Sequence, residues 1–205
     1  MAIEIDVKKT ALLSMDFQND IIHPDAPLAQ AAGFAKMVQD TGILPSSAKL
    51  LDAARKAGMK VIHIVVEFDE NSPTMPHRGA FFRMLGSGGP TLQPGTWGAQ
   101  IHEDVAPKPG DEVVKKAMIS AFVGSNLDEV LKKNGITDIA MIGVATTFVV
   151  EGTTWSAVDK GYSCIVIEDC VCAGSQEAHD AAIQTSLAYL TDICKADEFI
   201  AAIQK

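Results

Sequence analysis

The sequence predicts an α/β fold, a three-layer α/β/α sandwich with helices on both faces of a mostly parallel central sheet. Short apolar runs of strand length alternate along the chain with longer segments of helical periodicity, which is typical of βαβ units. The 205 residues are 47% hydrophobic, enough to bury one sizeable core. No repeat, low-complexity tract or linker divides them, so we expect a single domain over residues 1–205.

The first half of the chain contains two predicted strands and one predicted helix. Residues 11–16 are the first apolar run and residues 60–66 are the second. Between them, residues 45–58 carry apolar side chains at helical spacing and end at a glycine, a common helix stop. Residues 67–100 lose all periodicity and collect Gly and Pro, and a loop of that length in a compact domain is usually functional.

The second half continues the alternation of strands and helices. Ser125 and Ser175 are suited to begin helices, because a serine hydroxyl accepts a hydrogen bond from a free N–H of the first turn. The predicted strands are residues 111–116, 137–143, 163–168 and 192–196, and the predicted helices are residues 125–135 and 147–160, one that begins at Ser175, and one at the C-terminus.

Composition and charge exclude several classes of partner. The chain has 17 Lys and Arg against 26 Asp and Glu, a formal charge of −9, which repels phosphate backbones and anionic lipids. We therefore expect neither a nucleic acid nor a membrane as partner. No apolar run approaches the roughly 18 residues of a transmembrane helix, and charged residues precede the first apolar run, unlike a signal peptide. We expect a cytoplasmic protein.

The cysteines and glycines exclude two kinds of site. Cys164, Cys170, Cys172 and Cys194 contain no CxxC pair, which speaks against a zinc site or a disulfide framework and favours reduced thiols in the core. The turn after the first strand lacks the Gly-x-Gly-x-x-Gly pattern of dinucleotide-binding proteins. We expect no cofactor.

Three predicted strands end in residues that can do chemistry. Asp16 follows the first strand, Lys115 and Lys116 end the third, and the fourth runs from Gly143 directly into a helix, whose first N–H groups can bind an anion. The carboxyl ends of parallel strands share one edge of the sheet, where ligands bind. The ordinary alternatives are that Asp16 caps a turn and that both lysines face solvent.

Blocks of sequence resemble the isochorismatase-like, or cysteine hydrolase, superfamily. Five blocks lie in family order and at family spacing over roughly residues 10–190. The resemblance implies an α/β/α hydrolase of small amides, ureas, nitriles or the vinyl ether of isochorismate, usually a homo-oligomer, a dimer or tetramer. The blocks are Leu-Leu-x-Met-Asp16-Phe-Gln-Asn-Asp, a Lys four residues before Ser120-Ala-Phe, Gly143-Val-Ala-Thr146, Gly161-Tyr, and Glu168-Asp with Glu177-Ala-His179.

The resemblance also implies which residues act. Asp16 and Lys116 match two catalytic positions, with Lys116 rather than Lys115 fitting the motif. Val144, Ala145 and Thr146 match a loop with a cis peptide, at which the family arranges amides that hold an oxyanion.

The chain departs from the family at the nucleophile. In the amidase branch the loop reads glycine, two residues, threonine, two residues and then the catalytic cysteine, which falls on Val149 here. A valine has no nucleophilic atom, so thiolate attack is excluded at this position. Cys170 or Cys172 remains conceivable as a relocated nucleophile, and Trp155 replaces an arginine that many members carry.

Chemistry without the thiol depends on Asp16. As a general acid it protonates the enol carbon of a vinyl ether before water attacks, while Lys116 orients the substrate and balances charge. As a base it instead activates water for attack on an amide or ester. The neighbouring ammonium lowers the pKa of the carboxyl and burial raises it, and the sequence leaves that balance open.

Candidate substrate-binding residues come from the loops around these strand ends. An arginine beside aromatic residues suits a planar carboxylated ligand, so we expect a small carboxylated substrate, unless Arg78 faces solvent. The Asp-x-His spacing of metal-binding relatives is absent, so we expect no metal. The candidates are Phe17, Gln18, His23, Arg78, Phe82, Trp97, Phe148 and Trp155.

A second functional class stays open, namely a non-catalytic member that binds a small molecule or a partner protein. Retention of both Asp16 and Lys116 favours catalysis, because burying such a pair costs several kcal/mol, roughly, unless it is well satisfied.

Overall fold

Six parallel strands form one sheet in the order β3-β2-β1-β4-β5-β6. The computed structural model describes residues 3–68, 79–87 and 91–204. This sheet, with helices on both faces, confirms the predicted α/β sandwich. The strands are β1 (Thr10–Met15), β2 (Lys60–Val66), β3 (Glu112–Lys116), β4 (Asp138–Val144), β5 (Ser163–Cys172) and β6 (Asp192–Cys194).

Helices connect the strands, and none of the described helices is long and apolar enough to span a bilayer. A short 3-10 turn (Glu103–Val105) and two π-helical segments (Thr146–Val150 and Ile183–Leu187) complete the secondary structure. The helices are α1 (Asn19–Ile22), α2 (Pro27–Ala31), α3 (Phe34–Thr41), α4 (Ile43–Lys56), α5 (Ala80–Ser87), α6 (Leu127–Lys133), α7 (Glu151–Asp159), α8 (Gln176–Ala182), α9 (Ala188–Leu190) and α10 (Ala196–Ile203).

Two hydrophobic clusters pack on opposite faces of the sheet. Successive side chains of a strand point to opposite faces, so Leu12 of β1 joins one cluster and Leu13 joins the other. The first cluster contains Leu50 of α4 and Phe199 of α10, and the second contains Leu127 of α6. Every residue of β1 is buried, as in a central strand covered on both faces.

Several elements agree closely with the sequence-based expectations, whereas β5 continues four residues beyond its predicted end at residue 168. The β2 bounds agree residue for residue, and the Ser175 hydroxyl accepts a hydrogen bond from the Ala178 N–H at 3.2 Å as the expected helix cap. Helix α6 begins at Leu127, after an Asn126 cap, instead of directly after Ser125. Helices α1, α2 and α3 were not predicted, nor was α5 within the expected loop. Helices α1 and α2, with four and five residues, are too short to show a period.

The strand order reverses direction at the centre of the sheet, between β1 and β4. Ligands of open α/β sheets bind at the carboxyl ends of the strands beside such a reversal. Gly143 brings the two strands together there. It has φ +143°, and a Cβ on it would lie 2.1 Å from the Met15 carbonyl oxygen. Glycine therefore lets the end of β4 approach the residue that precedes Asp16.

We expect Gly143→Ala to lower the free energy of unfolding by more than about 3 kcal/mol, because overpacking adds to the cost of a positive φ. Gly135→Ala is the matched control. Gly135 also has a positive φ, +69°, but nothing lies within 4 Å of the position that a Cβ would take there. That control is expected to cost about 1 kcal/mol. Urea denaturation of both variants measures the difference, and equal costs would contradict the close approach of the strands.

Candidate active site

Asp16 lies immediately after β1 with a left-handed backbone, φ 58°. Aspartate tolerates this conformation better than most residues, and such outliers concentrate at functional sites. The backbone N–H of Asp16 donates to the Ile64 carbonyl at 2.9 Å, which fixes the residue against the neighbouring strand β2. The turn thus holds the carboxyl group at the carboxyl end of the sheet.

Lys116, the last residue of β3, pairs with that carboxyl group. Its Nζ donates to Asp16 Oδ2 at 2.8 Å, and the two side chains are only 2% and 8% exposed. Lys115 points to the other face, where it is exposed and pairs with Glu67 at 2.6 Å. Strand alternation therefore directs Lys116 inward.

The ammonium of Lys116 uses all of its hydrogen-bonding capacity within the protein. Besides Asp16, it donates to the carbonyl oxygens of Met118 at 3.0 Å and Ile119 at 3.1 Å. An ammonium has three donors, so these three bonds saturate it. The loop after β3 thereby turns back and holds the lysine that precedes it.

The carboxyl group of Asp16 is less completely bonded. Its Oδ2 accepts from Lys116, while its buried Oδ1 has no hydrogen-bond partner among the described residues. Burial raises the pKa of Asp16 above its ordinary value of 3.8, although the charge and hydrogen bond of Lys116 act in the opposite direction. The structure thus settles the balance that the sequence left open, in favour of burial.

A cavity of about 410 Å³ opens beside this pair. Its volume is that of a small-molecule site. Apart from Asp16 and Lys116 its described walls are mainly apolar, with aromatic side chains from α5 and from the segment after β4. The predicted site residues that line it are Asp16, Phe82, Lys116, Val144, Ala145, Phe148 and Val149.

The loop after β4 supplies one wall of the cavity. Its Val144–Ala145 peptide bond is cis, as the family resemblance implies. Thr147 lines the cavity in place of the expected Thr146, whose hydroxyl is buried 3.0 Å from Nδ1 of His179. His179 of α8 ends the Glu177-Ala-His179 block of the resemblance, but it was not among the predicted site residues.

Two predicted substrate-binding residues make contacts within the fold and are not part of the described cavity wall. Phe17 is buried in the core cluster with Leu12. Gln18 donates to the carbonyls of Val66 and Ala99 at 2.8 and 2.9 Å, and its Oε1 accepts from the Val66 N–H at 2.7 Å. The Gln18 amide therefore joins β2 to a distant loop and does not line the cavity.

Three more candidates lie on the surface, outside the cavity wall. His23 packs edge to face on Trp97 at 4.9 Å, and Trp97 is 49% exposed. Trp155 is 51% exposed on α7, because the buried face of that helix is made of small residues such as Thr153 and Ala157. Arg78 lies outside the described residues.

Sequence reasoning missed much of the apolar wall. Phe34 and Leu28 come from α3 and α2, which were not predicted, and Phe81 stacks on Phe148 with ring centroids 5.0 Å apart. Isolated apolar residues in unpredicted helices carry no signal for a cavity. For the part of the wall that these helices form, the only signal in the sequence was the clustering of aromatic residues near Phe82.

None of the four thiols is placed to act as a nucleophile in the described cavity wall. All four cysteines are buried in the sheet or the core, and none belongs to the described cavity wall. Burial raises the pKa of each thiol to about 12, so almost no thiolate exists at neutral pH. This argues against Cys170 and Cys172 as relocated nucleophiles.

Within residues 3–68, 79–87 and 91–204, no group of three or more His, Cys, Asp or Glu side chains is placed to hold a metal ion. The expectation that the protein binds no metal stays a prediction.

Helix α7 holds the loop that carries the lysine's carbonyl partners. The buried Oγ1 of Thr153 accepts from the Ala121 N–H at 3.0 Å, and Ser156 shares a 2.8 Å hydrogen bond with Ser120. Gly152 leaves room for Ile119, whose Cγ2 would lie 3.1 Å from a Cβ at that position. The helix after the cis peptide thus helps to position Lys116 through the loop.

Comparisons with known proteins agree with this geometry. The isochorismatase domain family matches residues 10–198. The ureidoacrylate amidohydrolase RutB of Rhizobium rhizogenes is 30% identical over 82% of this chain and 72% of that protein. The uncharacterized isochorismatase family protein YwoC of Bacillus subtilis is 30% identical over 89% and 87%. The crystal structure of a cysteine hydrolase from Pseudomonas syringae pv. phaseolicola shares the fold, with a TM-score of 0.87 at 22% identity over 98% and 95%.

We expect Thr153→Val to lower the free energy of unfolding by about 1–3 kcal/mol, because it leaves the buried Ala121 N–H without its acceptor. Thr154→Val is the matched control, since Thr154 is equally buried but its hydroxyl is a donor, to the helix carbonyl of Val150 at 2.9 Å and to Sδ of Met141 at 3.8 Å. The control is expected to cost less than about 1 kcal/mol. Chemical denaturation measures both, and equal costs would contradict the role of Thr153 in holding the loop.

We expect Asp16 to titrate above 3.8 and Lys116→Met to raise its pKa further, because the variant removes the ammonium that lowers it. Carbon-13 NMR of the carboxyl group measures both pKa values, and Lys115→Met is the control that should not change the pKa of Asp16.

The raised pKa also makes stability depend on pH. Because the pKa of Asp16 is higher in the folded than in the unfolded state, the stability contributed by the protonated carboxyl is complete below the unfolded pKa and is lost as pH rises through the folded pKa. Asp16→Asn should remove this component, and an Asp16 pKa below 3.8 would contradict the dominance of burial.

Proposed function

The chain belongs to the isochorismatase family of hydrolases, and from that premise we propose that it hydrolyses a small molecule without a cysteine nucleophile, with Asp16 transferring the proton. The observation that carries this proposal is the Asp16 carboxyl group in the cavity, with Oδ2 held by Lys116 and Oδ1 without a partner among the described residues. An unpartnered carboxyl oxygen in a buried site is costly and is kept where a substrate or a proton will meet it.

The raised pKa favours Asp16 as a general acid. A raised pKa increases the protonated fraction of the Asp16 carboxyl at any given pH, and only the protonated form can donate a proton. In vinyl-ether hydrolysis, Asp16 gives its proton to the enol carbon. Water then attacks the resulting oxocarbenium ion, and its proton restores the acid. The hemiketal so formed breaks its bond to the ether oxygen, which leaves as an alcohol, and the hydroxyl becomes a carbonyl group. The Ala145 to Thr147 backbone would hold polar substrate oxygens.

The same pair also permits the base reaction. Ionised Asp16 takes a proton from water, which attacks the carbonyl carbon of an amide or ester, and the proton then passes to the leaving nitrogen or oxygen. The relative RutB is an amidohydrolase, which supports hydrolysis of a C–N bond as the second candidate reaction. Lys116 keeps Asp16 oriented in both reactions.

Val149 is the reason to propose cysteine independence. The resemblance places the family nucleophile at this position, and here its side chain lines the cavity while packing into the core. With every cysteine thiol buried away from the described wall, the reaction is left to the carboxyl group and water. A cytoplasmic location and a dimer or tetramer stay predictions.

We expect wild-type turnover to survive iodoacetamide, because no reactive thiol belongs to the described cavity wall. Isochorismate, small amides, carbamates and activated esters form the assay panel. Asp16→Asn should lower kcat by about 10²–10⁴-fold, the usual contribution of a general acid or base. Lys116→Met should lower kcat as well, while its exposed neighbour variant Lys115→Met should not. Val149→Cys should introduce sensitivity to iodoacetamide.

Two results would overturn the proposal. One is loss of wild-type turnover on alkylation, and the other is full activity in Asp16→Asn. A wild-type protein that is silent on the whole panel, with amidase activity only in Val149→Cys, would favour the non-catalytic binding alternative.

A further inference from the structure

Among the described residues, the polar end of the cavity has no unused positive charge. The three donors of Lys116 are taken by Asp16, Met118 and Ile119, so none remains for a substrate carboxylate. While Asp16 is ionised, the pair is also nearly neutral as a unit, because the ammonium and the carboxylate touch at 2.8 Å. An anionic substrate would meet a charge that is already balanced.

The rest of the described wall offers no second cation. Lys116 is the only Lys, Arg or His among the described residues that line the cavity, and the α5 residue Arg83 is exposed and lies outside that wall. Burying an anion without a counter-charge is costly in free energy, even where the N–H groups after β4 hydrogen-bond one of its oxygens. The described wall therefore penalises a carboxylated ligand.

The same wall is well suited to an apolar body. Phe81 and Phe148 stack at 27° with their centroids 5.0 Å apart, and Phe82 meets Phe81 edge to face at 5.3 Å. Phe34 and Leu28 add further apolar surface from α3 and α2. Aromatic walls of this kind bind rings and hydrocarbon chains by burial and by ring packing.

We propose that the cavity selects a neutral, mainly apolar substrate, with an aromatic or hydrocarbon body against the phenylalanines and a single uncharged polar group beside Asp16. This inference rests on the proposed function for the reacting group, a neutral amide, ester or enol ether. A neutral substrate differs from the carboxylated one that we expected from Arg78, a residue outside the described part of the chain.

The test compares two ligands of the same skeleton that differ in charge and are not hydrolysed. The neutral probe is 4-phenyl-2-butanone and the anionic probe is 3-phenylpropanoate, each titrated calorimetrically into the full chain. The neutral probe is expected to bind at least tenfold more tightly. Because neither probe reacts, the result is independent of turnover, so failure of the proposed hydrolysis and failure of this inference are distinguishable.

Two alanines of α8 locate the bound probe. Ala178 lines the cavity, whereas Ala181 of the same helix is exposed. Ala178→Trp should fill the cavity and lower neutral-probe affinity at least tenfold, while Ala181→Trp should leave it unchanged. Urea denaturation of both variants shows that each is folded.

Three results overturn the inference. The first is equal or tighter binding of the anionic probe, and the second is binding that Ala178→Trp does not weaken. The third is no binding of the neutral probe up to its solubility limit. If the anionic probe binds and Arg78→Gln weakens it at least tenfold, an arginine outside the described wall recognises a carboxylate, and the substrate is charged.

Discussion

The buried ion pair between Asp16 and Lys116 constrains the rest of the structure. The two residues end β1 and β3, which flank β2, so the lysine side chain crosses the end of one strand to reach its partner. The contact forms because β1, β2 and β3 are parallel and their carboxyl ends lie at one edge of the sheet. Two desolvated charges are tolerated only when their hydrogen bonds are satisfied, and backbone carbonyls at residues 118 and 119 provide that for the lysine.

The sequence indicated the strands and the two charged residues because both signals are local. A run of β-branched residues defines β2, and a charged residue directly after an apolar run locates Asp16. Gln18 was misinterpreted because its partners, Val66 and Ala99, lie 48 and 81 residues away. No local pattern shows that a side-chain amide will complete the sheet.

Trp155 shows a second kind of limit. A tryptophan in a predicted helix favours a buried position, yet α7 buries its threonines and an alanine and leaves the indole exposed. The helix packs closely because the buried face is small, which also lets Thr153 reach the loop beside Lys116. The direction in which the Asp16 pKa shifts could not be predicted from the sequence either. The sequence identifies Lys116 as the partner of the carboxyl group, but not how deeply that group is buried.

The valine at position 149 and the raised pKa of Asp16 are physically connected. A cysteine nucleophile needs a neighbouring base, which requires an ionised carboxylate, whereas a general acid needs the same carboxyl protonated. Val149 adds apolar surface to the cavity that Asp16 lines, and apolar surroundings penalise the ionised form. Under the proposed function, a valine at this position leaves no thiol that needs a base. Apolar surroundings then favour the protonated form of Asp16 that the proposed acid reaction needs, and the hydrogen bond from Lys116 orients that carboxyl.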